Sequence, residues 1–150
     1  MMQTDGQYII PYHDGLHTQL LAVWEKSVLA THFFLKPGDL AAIRELVQEI
    51  DFNHFQVYCL LEQTTLAGFI GVLHRKVEML FLAPDYFRMG LGRKLMDFAI
   101  NVLDANKVDV NEQNAAAVQF YQSLGFTVYE RTDRDDQGYE YPLLRMRLTD

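Results

Sequence analysis

The sequence predicts a single mixed α/β (α+β) domain in which helices flank a mostly antiparallel sheet of seven strands. The chain has 150 residues, 49% of them hydrophobic, which suits one ordinary globular domain. Three consecutive apolar runs of β-favouring residues are joined by connections so short that only antiparallel hairpins fit. Helix-spaced apolar residues precede and follow them. The predicted order is β-α-α-β-β-β-α-β-α-β-β, and no repeat or linker divides residues 1–150.

The first half of the chain begins with a short strand, at residues 8–12, and two adjacent helices. Asp14 is the expected N-cap of the first helix, and Pro37 and Asp39 introduce the second. The apolar residues at helical spacing are Leu16, Leu20, Val23, Trp24 and Val28, then Leu40, Ile43, Val47 and Ile50. The three hairpin strands are predicted at residues Gln56–Glu62, 66–74 and 76–83.

In the second half of the chain, helices and strands alternate. A helix with a broad apolar face starts at Gly90 and closes near Asn106. A brief strand at Lys107–Asn111 follows, and a short helix at residues 113–124 ends at Gly125, a suitable C′ glycine. The last two strands and the turn between them are predicted at residues 126–130, 139–148 and 135–138.

Composition and charge restrict the possible functions. A formal net charge of −7 and the lack of a Lys/Arg cluster argue against nucleic-acid binding, which needs a basic face, but suit a cationic substrate. The polar first residues and the absence of an apolar stretch of ~20 residues predict a cytoplasmic protein without a membrane segment. The single cysteine, Cys59, can form neither an internal disulfide nor a multi-cysteine metal site. We therefore predict that it is a core residue and that no metal is bound.

The junction between the third hairpin strand and the next helix is a candidate anion site. Gly90-Leu91-Gly92 stands where backbone N–H groups lack partners and the helix end carries about half a positive charge. Because glycine has no side chain, a phosphate can approach this backbone closely, and pyrophosphate is the expected guest. The basic residues nearby either add charge at the rim or are ordinary surface residues. The other residues predicted to contact the pyrophosphate are Arg88, Met89, Arg93 and Lys94.

A dinucleotide-binding fold is the alternative interpretation of this loop. Asp109 follows Gly90 by about 20 residues, as a ribose-binding acid does. However, Leu95 occupies the place of the third glycine, the loop lies past the chain's midpoint, and antiparallel hairpins precede it. These features disfavour a parallel dinucleotide-binding unit.

A second pattern lies at the helix predicted over residues 113–124. Asn114, Ala117 and Tyr121 are three and four residues apart, so they share one helix face. Tyr121 is either a packing residue with its hydroxyl bonded to backbone or a catalytic residue, and Asn114 serves equally well as a helix cap. The pattern is completed by Phe120, Gly125 and Phe126.

The two motifs, in this order, resemble those of the GNAT acetyltransferases. The acetyl-CoA loop of that family reads Arg/Gln-x-x-Gly-x-Gly/Ala after the fourth strand, and the matching segment here begins at Phe87 and contains Gly90 and Gly92. Phe87 stands where the family has Arg or Gln, and Arg88 where a glycine is common. Residues 111–114 and 141–144 also look like a bacterial subgroup of small GNAT enzymes assigned as lysine acetyltransferases.

The resemblance implies that acetyl-CoA is the co-substrate and that a primary amine attacks it directly in a ternary complex. It implies that Asn114 contacts the pantetheine arm, that Ala117 makes room for it, and that the Tyr121 hydroxyl approaches the CoA sulfur. A phenol with a pKa near 10 is protonated at neutral pH, so Tyr121 can act as general acid towards the thiolate. The implied donors to the carbonyl oxygen, along the fourth strand, are Leu80, Phe81 and Leu82.

The residue pattern identifies neither a single general base nor a single acceptor. Glu78 is the first candidate base because a regular strand gives it the same face as Leu80 and Leu82. His32 and a water path are the others. The acceptor is a small-molecule amine, a protein lysine or a protein N-terminus, and a homodimer is compatible with the sequence. An acyl-CoA-binding sensor or interaction module without efficient transfer is the alternative function, because of Phe87 and the lack of an obvious base.

Aromatic residues in two places leave their roles open. The segment at residues 33–35 is either a lid over the acceptor groove or a plug between the helices and the sheet. Tyr139 and Tyr141 belong to a dimer interface, to the acceptor wall or to packing.

Overall fold

The computed structural model describes residues 3–4, 6–32 and 34–148 of the chain, with side chains from residue 6 onwards. The strands are β1 (Gln3–Thr4), β2 (Gln7–Pro11), β3 (Gln56–Glu62), β4 (Thr65–Leu73), β5 (Lys76–Leu82), β6 (Lys107–Asn111), β7 (Phe126–Thr132) and β8 (Leu143–Leu148). The helices are α1 (His17–Thr31), α2 (Pro37–Gln48), α3 (Leu91–Asn101) and α4 (Ala115–Ser123). No helix among the described residues is long and apolar enough to span a membrane.

The strands form one sheet in the order β1-β2-β3-β4-β5-β6-β8-β7. The neighbours β5 and β6 are parallel, and the other neighbouring pairs are antiparallel. The predicted fold class and element order are confirmed. All seven predicted strands form, and the two-residue β1, which pairs with β2, adds an eighth within the described residues.

Three predictions about where elements begin or end are wrong. Asp14 does not cap α1; it lies in a 3-10 turn that is capped by the His13 side chain, which accepts from the Gly15 N–H. The helix expected to close near Asn106 ends at Asn101. The last strand begins at Leu143 rather than at residue 139, because the preceding turn satisfies its own backbone groups.

Two hydrophobic clusters lie on opposite faces of the sheet. Successive residues of a strand point to opposite faces, so Phe69 packs in the cluster with α1 while Ile70 packs in the cluster with α3 and α4. Cys59 belongs to the α1 cluster with 0% of its surface exposed, which confirms it as a core residue. Its burial raises the pKa of the thiol to about 12.

The pairing of β5 with β6 breaks off early. The two strands are in register at Lys76↔Lys107 and Val77↔Val108, but β5 continues to Leu82 without a further partner on β6. In the part of the chain that the structure describes, the sheet is therefore open between these strands beyond Val77. A β-bulge lies at the same place, because Gly71 pairs with Met79 and Val72 with Val77, which leaves Glu78 as an extra residue.

The bulge overturns the face predicted for Glu78. Leu80 and Leu82 pack against the cluster of α3 and α4, whereas Met79 and Phe81 pack against the cluster of α1. Glu78 lines the same groove as Met79 and Phe81. The strict alternation that would place Glu78 with Leu80 and Leu82 fails because one residue is inserted.

Candidate active site

The loop before α3 has the backbone shape of an anion site. Arg88 and Gly90 both have positive φ, +63° and +79°, and Gly90 caps α3 without any side-chain hydrogen bond. Left- and right-handed residues in alternation turn successive N–H groups towards one side, and the first N–H groups of a helix have no internal partner. An added Cβ at Gly90 would meet nothing within 4 Å, so its φ rather than space calls for glycine. The loop thus fits a pyrophosphate.

The side chains around this loop have different surroundings. Arg88, Met89 and Arg93 are exposed, and the side chain of Leu91 is buried. Lys94 donates a hydrogen bond to the Gln7 side chain on β2, so its ammonium lies at that strand. Gly92 lies against α4 and β5, since an added Cβ would be 3.5 Å from the Phe120 ring and 3.6 Å from Leu82.

The open edge of β5 carries backbone donors. The Ala83 N–H donates to the Ala67 carbonyl of β4 at 2.8 Å. Since N–H groups alternate sides along a strand, those of Leu80 and Leu82 point to the edge that faces β6, and that of Phe81 points to β4. The pairing with β6 has already ended there, so Leu80 and Leu82 present N–H groups to the opening.

The α4 face places Asn114, Ala117 and Tyr121 together. Asn114 is the N-cap, with its side-chain oxygen accepting from the Ala117 N–H at 3.2 Å. This bond uses the oxygen and leaves the side-chain NH₂ free to donate. Tyr121 is 7% exposed, and its ring packs edge-on against Phe120 and Phe126.

The Tyr121 side chain is buried, but its hydroxyl oxygen is not among the fully buried polar atoms. The hydroxyl forms no hydrogen bond with any described residue. The alternative role of a packing tyrosine whose hydroxyl is bonded to backbone is therefore not observed. Burial raises the pKa of Tyr121 above its ordinary value, because an ionised phenolate would be poorly solvated there. The hydroxyl therefore stays protonated at neutral pH and has a proton to donate.

A groove of about 350 Å³ opens beside α2, and we call it the α2 groove. It lies between the helices α1 and α2, the strands β5 and β6, and the segment before β8. One part of it is apolar and includes Trp24, Val28, Leu35, Ile43, Leu46 and Val47. The carboxylates that line it are Glu78, Asp109, Asp135 and Asp136.

Two cations, Lys76 and Arg145, join three of the four carboxylates of the α2 groove. Lys76 lies between Glu78, at 3.2 Å, and Asp109, at 2.7 Å. Burial by itself would lower the pKa of Lys76, but the hydrogen bond and charge of Asp109, with those of Glu78, raise it. Arg145 donates to the Oδ2 of Asp109 at 2.8 Å and to Asp136 at 2.9 Å. The Oδ1 of Asp109 is buried and has no partner among the described residues.

Asp109 is a groove residue whose place the sequence pattern does not predict, since the pattern suggests for it only the role of a ribose-binding acid. Val108 and Val110 on either side of it are buried in the other cluster. The feature of the sequence that indicates this is a single charged residue between two valines in a short strand. Since the valines are buried on one side of the sheet, the charged residue must face the opposite side. Only the fold reveals that this side is the groove.

His32 and the aromatic segment after it border the groove. His32 lines it, with its Nδ1 2.7 Å from the Thr31 hydroxyl, and burial lowers the pKa of its imidazole. Phe33 lies outside the described residues. The Phe34 ring packs against His32 at 5.3 Å and against Tyr141 at 5.7 Å, between ring centroids.

Tyr141 connects two distant parts of the groove wall. Its hydroxyl donates to the Asp39 carboxylate at 2.6 Å and accepts from the Lys36 N–H at 3.0 Å. Lys36 and Asp39 stand at the start of α2, whereas Tyr141 lies just before β8. Tyr141 is thus both a wall of the groove and a packing residue, 5% exposed.

Comparisons with known proteins bear on what this arrangement does. The sequence profile of the acetyltransferase (GNAT) domain matches residues 31–149. The peptidyl-lysine N-acetyltransferase YjaB of Salmonella typhimurium is 35% identical over 128 residues, which cover 85% of this chain and 88% of that protein. The solution structure of apo-form YjaB from Escherichia coli matches with a TM-score of 0.85 and 31% identity, over 95% of this chain and 97% of that one.

A more distant structure has the same fold. The PaiA N-acetyltransferase from Thermoplasma acidophilum, in complex with coenzyme A, matches with a TM-score of 0.74 and 20% identity. The match covers 94% of this chain and 98% of that chain. At this identity the likeness concerns the fold alone.

Proposed function

The chain belongs to the GNAT acetyltransferases, and from this premise we propose that it transfers the acetyl group of acetyl-CoA to the ε-amine of a peptide lysine. The observation that carries the proposal is the break between β5 and β6. The cluster on one face of the broken sheet contains Tyr121, and the acidic α2 groove lies on the other face. An acyl donor and a cationic acceptor can therefore approach each other from opposite faces.

Acetyl-CoA supplies an acyl thioester whose thiolate is the leaving group. In our proposal the N–H groups of the loop from Arg88 to Gly92 bind its pyrophosphate, together with the start of α3. Asn114 and Ala117 border the pantetheine arm. The open edge of β5 orients the thioester, with the N–H groups of Leu80 and Leu82 as donors to its carbonyl oxygen. Phe81 contributes a side chain to the groove rather than a donor to this edge.

The side chains near the loop contribute unequally to the proposed phosphate binding. Arg88 and Arg93 are exposed and add positive charge at the rim. Lys94 is held by Gln7, so we assign it a smaller share in phosphate binding. Met89 and Leu91 contribute backbone, since the first is 57% exposed and the second is buried in the core.

Tyr121 is the proposed general acid. Its hydroxyl carries a proton at neutral pH and, among the described residues, has no acceptor that competes with a thiolate. Cys59 supports direct attack by the amine, because it is fully buried with a pKa of about 12 and cannot serve as an acyl carrier.

The amine must lose a proton before it attacks. An alkyl ammonium with a pKa of ~10.4 costs about 4.6 kcal/mol to deprotonate at pH 7. Glu78 is the proposed base, directly or through water, because the bulge places it in the α2 groove at the break between β5 and β6. Lys76 holds its carboxylate in position.

The substitution Tyr121→Phe tests the general acid. It keeps the ring and its packing, so we expect acetyl-CoA affinity, measured by calorimetry, to stay within about twofold. The turnover number should fall about 10²-fold or more, since proton transfer by a placed side chain contributes 10²–10⁴-fold. In the parent enzyme, deprotonation of the Tyr121 hydroxyl should cause no loss of turnover below about pH 10, because burial raises the pKa of Tyr121.

Two results would contradict parts of this proposal. Unchanged turnover in Tyr121→Phe would remove Tyr121 from the mechanism. Tight acetyl-CoA binding without thiol release, over a panel of lysine peptides and small amines, would instead indicate an acyl-CoA sensor.

A further inference from the structure

The α2 groove has two chemically different ends. Towards α2 its walls are aliphatic, with Ile43, Leu46 and Val47 on the helix and Leu35 before it. Towards β5 and β6 its walls carry Glu78 and Asp109. A ligand that fills the groove therefore meets hydrocarbon at one end and carboxylates at the other.

The aliphatic end leaves apolar surface in water. None of the residues of α2 is fully buried, although one face of the helix is aliphatic. Leu46 lines the groove and is 49% exposed. Burying such a side chain against an apolar partner is favourable, because it removes hydrocarbon from water.

The acidic end has unused capacity for a cation. Four carboxylates line the groove, and among the described residues Lys76 and Arg145 are the cations bonded to three of them, Glu78, Asp109 and Asp136. The Oδ1 of Asp109 is buried without a partner among the described residues, so it can accept one more hydrogen bond. An ammonium group is the ligand that supplies both a charge and donors.

We propose that the α2 groove selects a lysine that has an apolar side chain directly beside it in the peptide. The ammonium lies at the acidic end, near the break between β5 and β6, and the neighbouring side chain packs on Leu46, Ile43 and Val47. A free polyamine leaves the aliphatic end unfilled, and an acidic neighbour is repelled by the carboxylates. The inference rests on the proposed function, because it specifies the acceptor of the same site.

Two blocked tetrapeptides test the selection. They carry an acetylated N-terminus and an amidated C-terminus, so that lysine is the sole amine, and differ in whether leucine or serine precedes it. The parent enzyme should acetylate the leucine peptide with a kcat/KM about tenfold higher, since apolar contacts of this size discriminate about 10-fold or more. Thiol release is the readout.

A matched pair of variants locates the origin of the preference. In Leu46→Gln, which retains a good helix former, the ratio of the two kcat/KM values should fall to about two. In Leu29→Gln the ratio should stay near ten, because Leu29 is 53% exposed on α1 but does not line the groove. Circular dichroism verifies folding, and Leu46→Ala replaces Leu46→Gln if the latter does not fold.

Each result has a definite meaning. Equal kcat/KM values for the two peptides in the parent enzyme overturn the inference and leave the proposed function standing. A ratio that stays near ten in the Leu46 variants also overturns it, because the preference then arises elsewhere. Binding of acetyl-CoA without acetylation of either peptide overturns the proposed function, and the inference with it.

Discussion

Asp109 has one carboxylate oxygen with two partners and one with none among the described residues, and this asymmetry makes it informative at the scale of single residues. Its Oδ2 accepts from both Lys76 and Arg145, while its Oδ1 is buried without a partner in the described part of the chain. A buried polar atom left without a partner is rare in folded proteins. Because Asp109 also lines the α2 groove, we propose that it links the stability of the strands to acceptor binding.

The substitution Asp109→Asn removes the negative charge of the side chain but keeps its size and shape. Lys76 and Arg145 lose their shared counter-charge, and we expect the free energy of unfolding to fall by about 1–2 kcal/mol, because both pairs are partly exposed. The KM for the lysine peptide should rise about fivefold as the acidic end weakens. Urea unfolding and steady-state kinetics measure the two effects. Asp133→Asn is the control, because its carboxylate is 92% exposed and lies outside the groove; equal losses in both variants would refute the role of Asp109.

At the scale of elements, α2 is held by partial apolar packing against the α1 cluster and by a few polar contacts. The Tyr141 hydroxyl bridges Asp39 and the Lys36 N–H at the start of the helix. The Arg44–Glu25 ion pair, at 2.7 Å, connects α2 to α1, but exposed pairs contribute little. We infer that Tyr141 keeps one wall of the α2 groove in place.

Tyr141→Phe should weaken that wall without affecting the acetyl-CoA side. It leaves the Asp39 carboxylate and the Lys36 N–H without their partner, which costs about 1–3 kcal/mol of unfolding free energy. We expect the KM for the lysine peptide to rise several-fold while the KM for acetyl-CoA is unchanged. Tyr139→Phe is the matched control, since its hydroxyl bonds to no described residue. A rise in the KM for acetyl-CoA instead would argue against this assignment.

The turn before α3 belongs to the same scale and serves the other substrate. In Gly90→Ala a side chain must adopt a φ of +79°, which costs about 1–2 kcal/mol in the loop. The loop is then expected to move its N–H groups out of line, and acetyl-CoA affinity, measured by calorimetry, should fall about tenfold. Gly38→Ala is the control, because an added Cβ there meets nothing within 4 Å and its φ is ordinary. Unaltered affinity in Gly90→Ala would mean that another part of the chain binds the phosphates.

At the scale of the whole molecule, the net charge of −7 acts on the encounter with the acceptor. A cationic peptide is attracted, and salt screens that attraction over a Debye length of about 10 Å at 0.1 M. Raising the ionic strength from about 0.02 M to about 0.3 M should lower kcat/KM several-fold for a lysine peptide of net charge +2. A peptide of zero net charge should respond little. Equal responses of the two peptides would exclude long-range attraction as a factor.

The sequence by itself determined the features that depend on neighbouring residues. Local periodicity predicts the hairpin strands, the helix faces and the shared face of Asn114, Ala117 and Tyr121. The preference of glycine for positive φ predicts the loop before α3. Local patterns of this kind were sufficient to indicate the fold class and the family. They were also sufficient to indicate that Cys59 lies in the core.

The tertiary structure decided the features that depend on contacts between distant residues. The break between β5 and β6 and the bulge at Glu78 depend on register with other strands, and a shift of one residue reverses which face a side chain occupies. The bond between Tyr141 and Asp39 joins residues 102 positions apart. Lys76 and Arg145, from two other strands, both donate to one oxygen of Asp109, whose other oxygen has no partner among the described residues. Such relations have no local periodicity, so only the packed fold reveals the groove that they form.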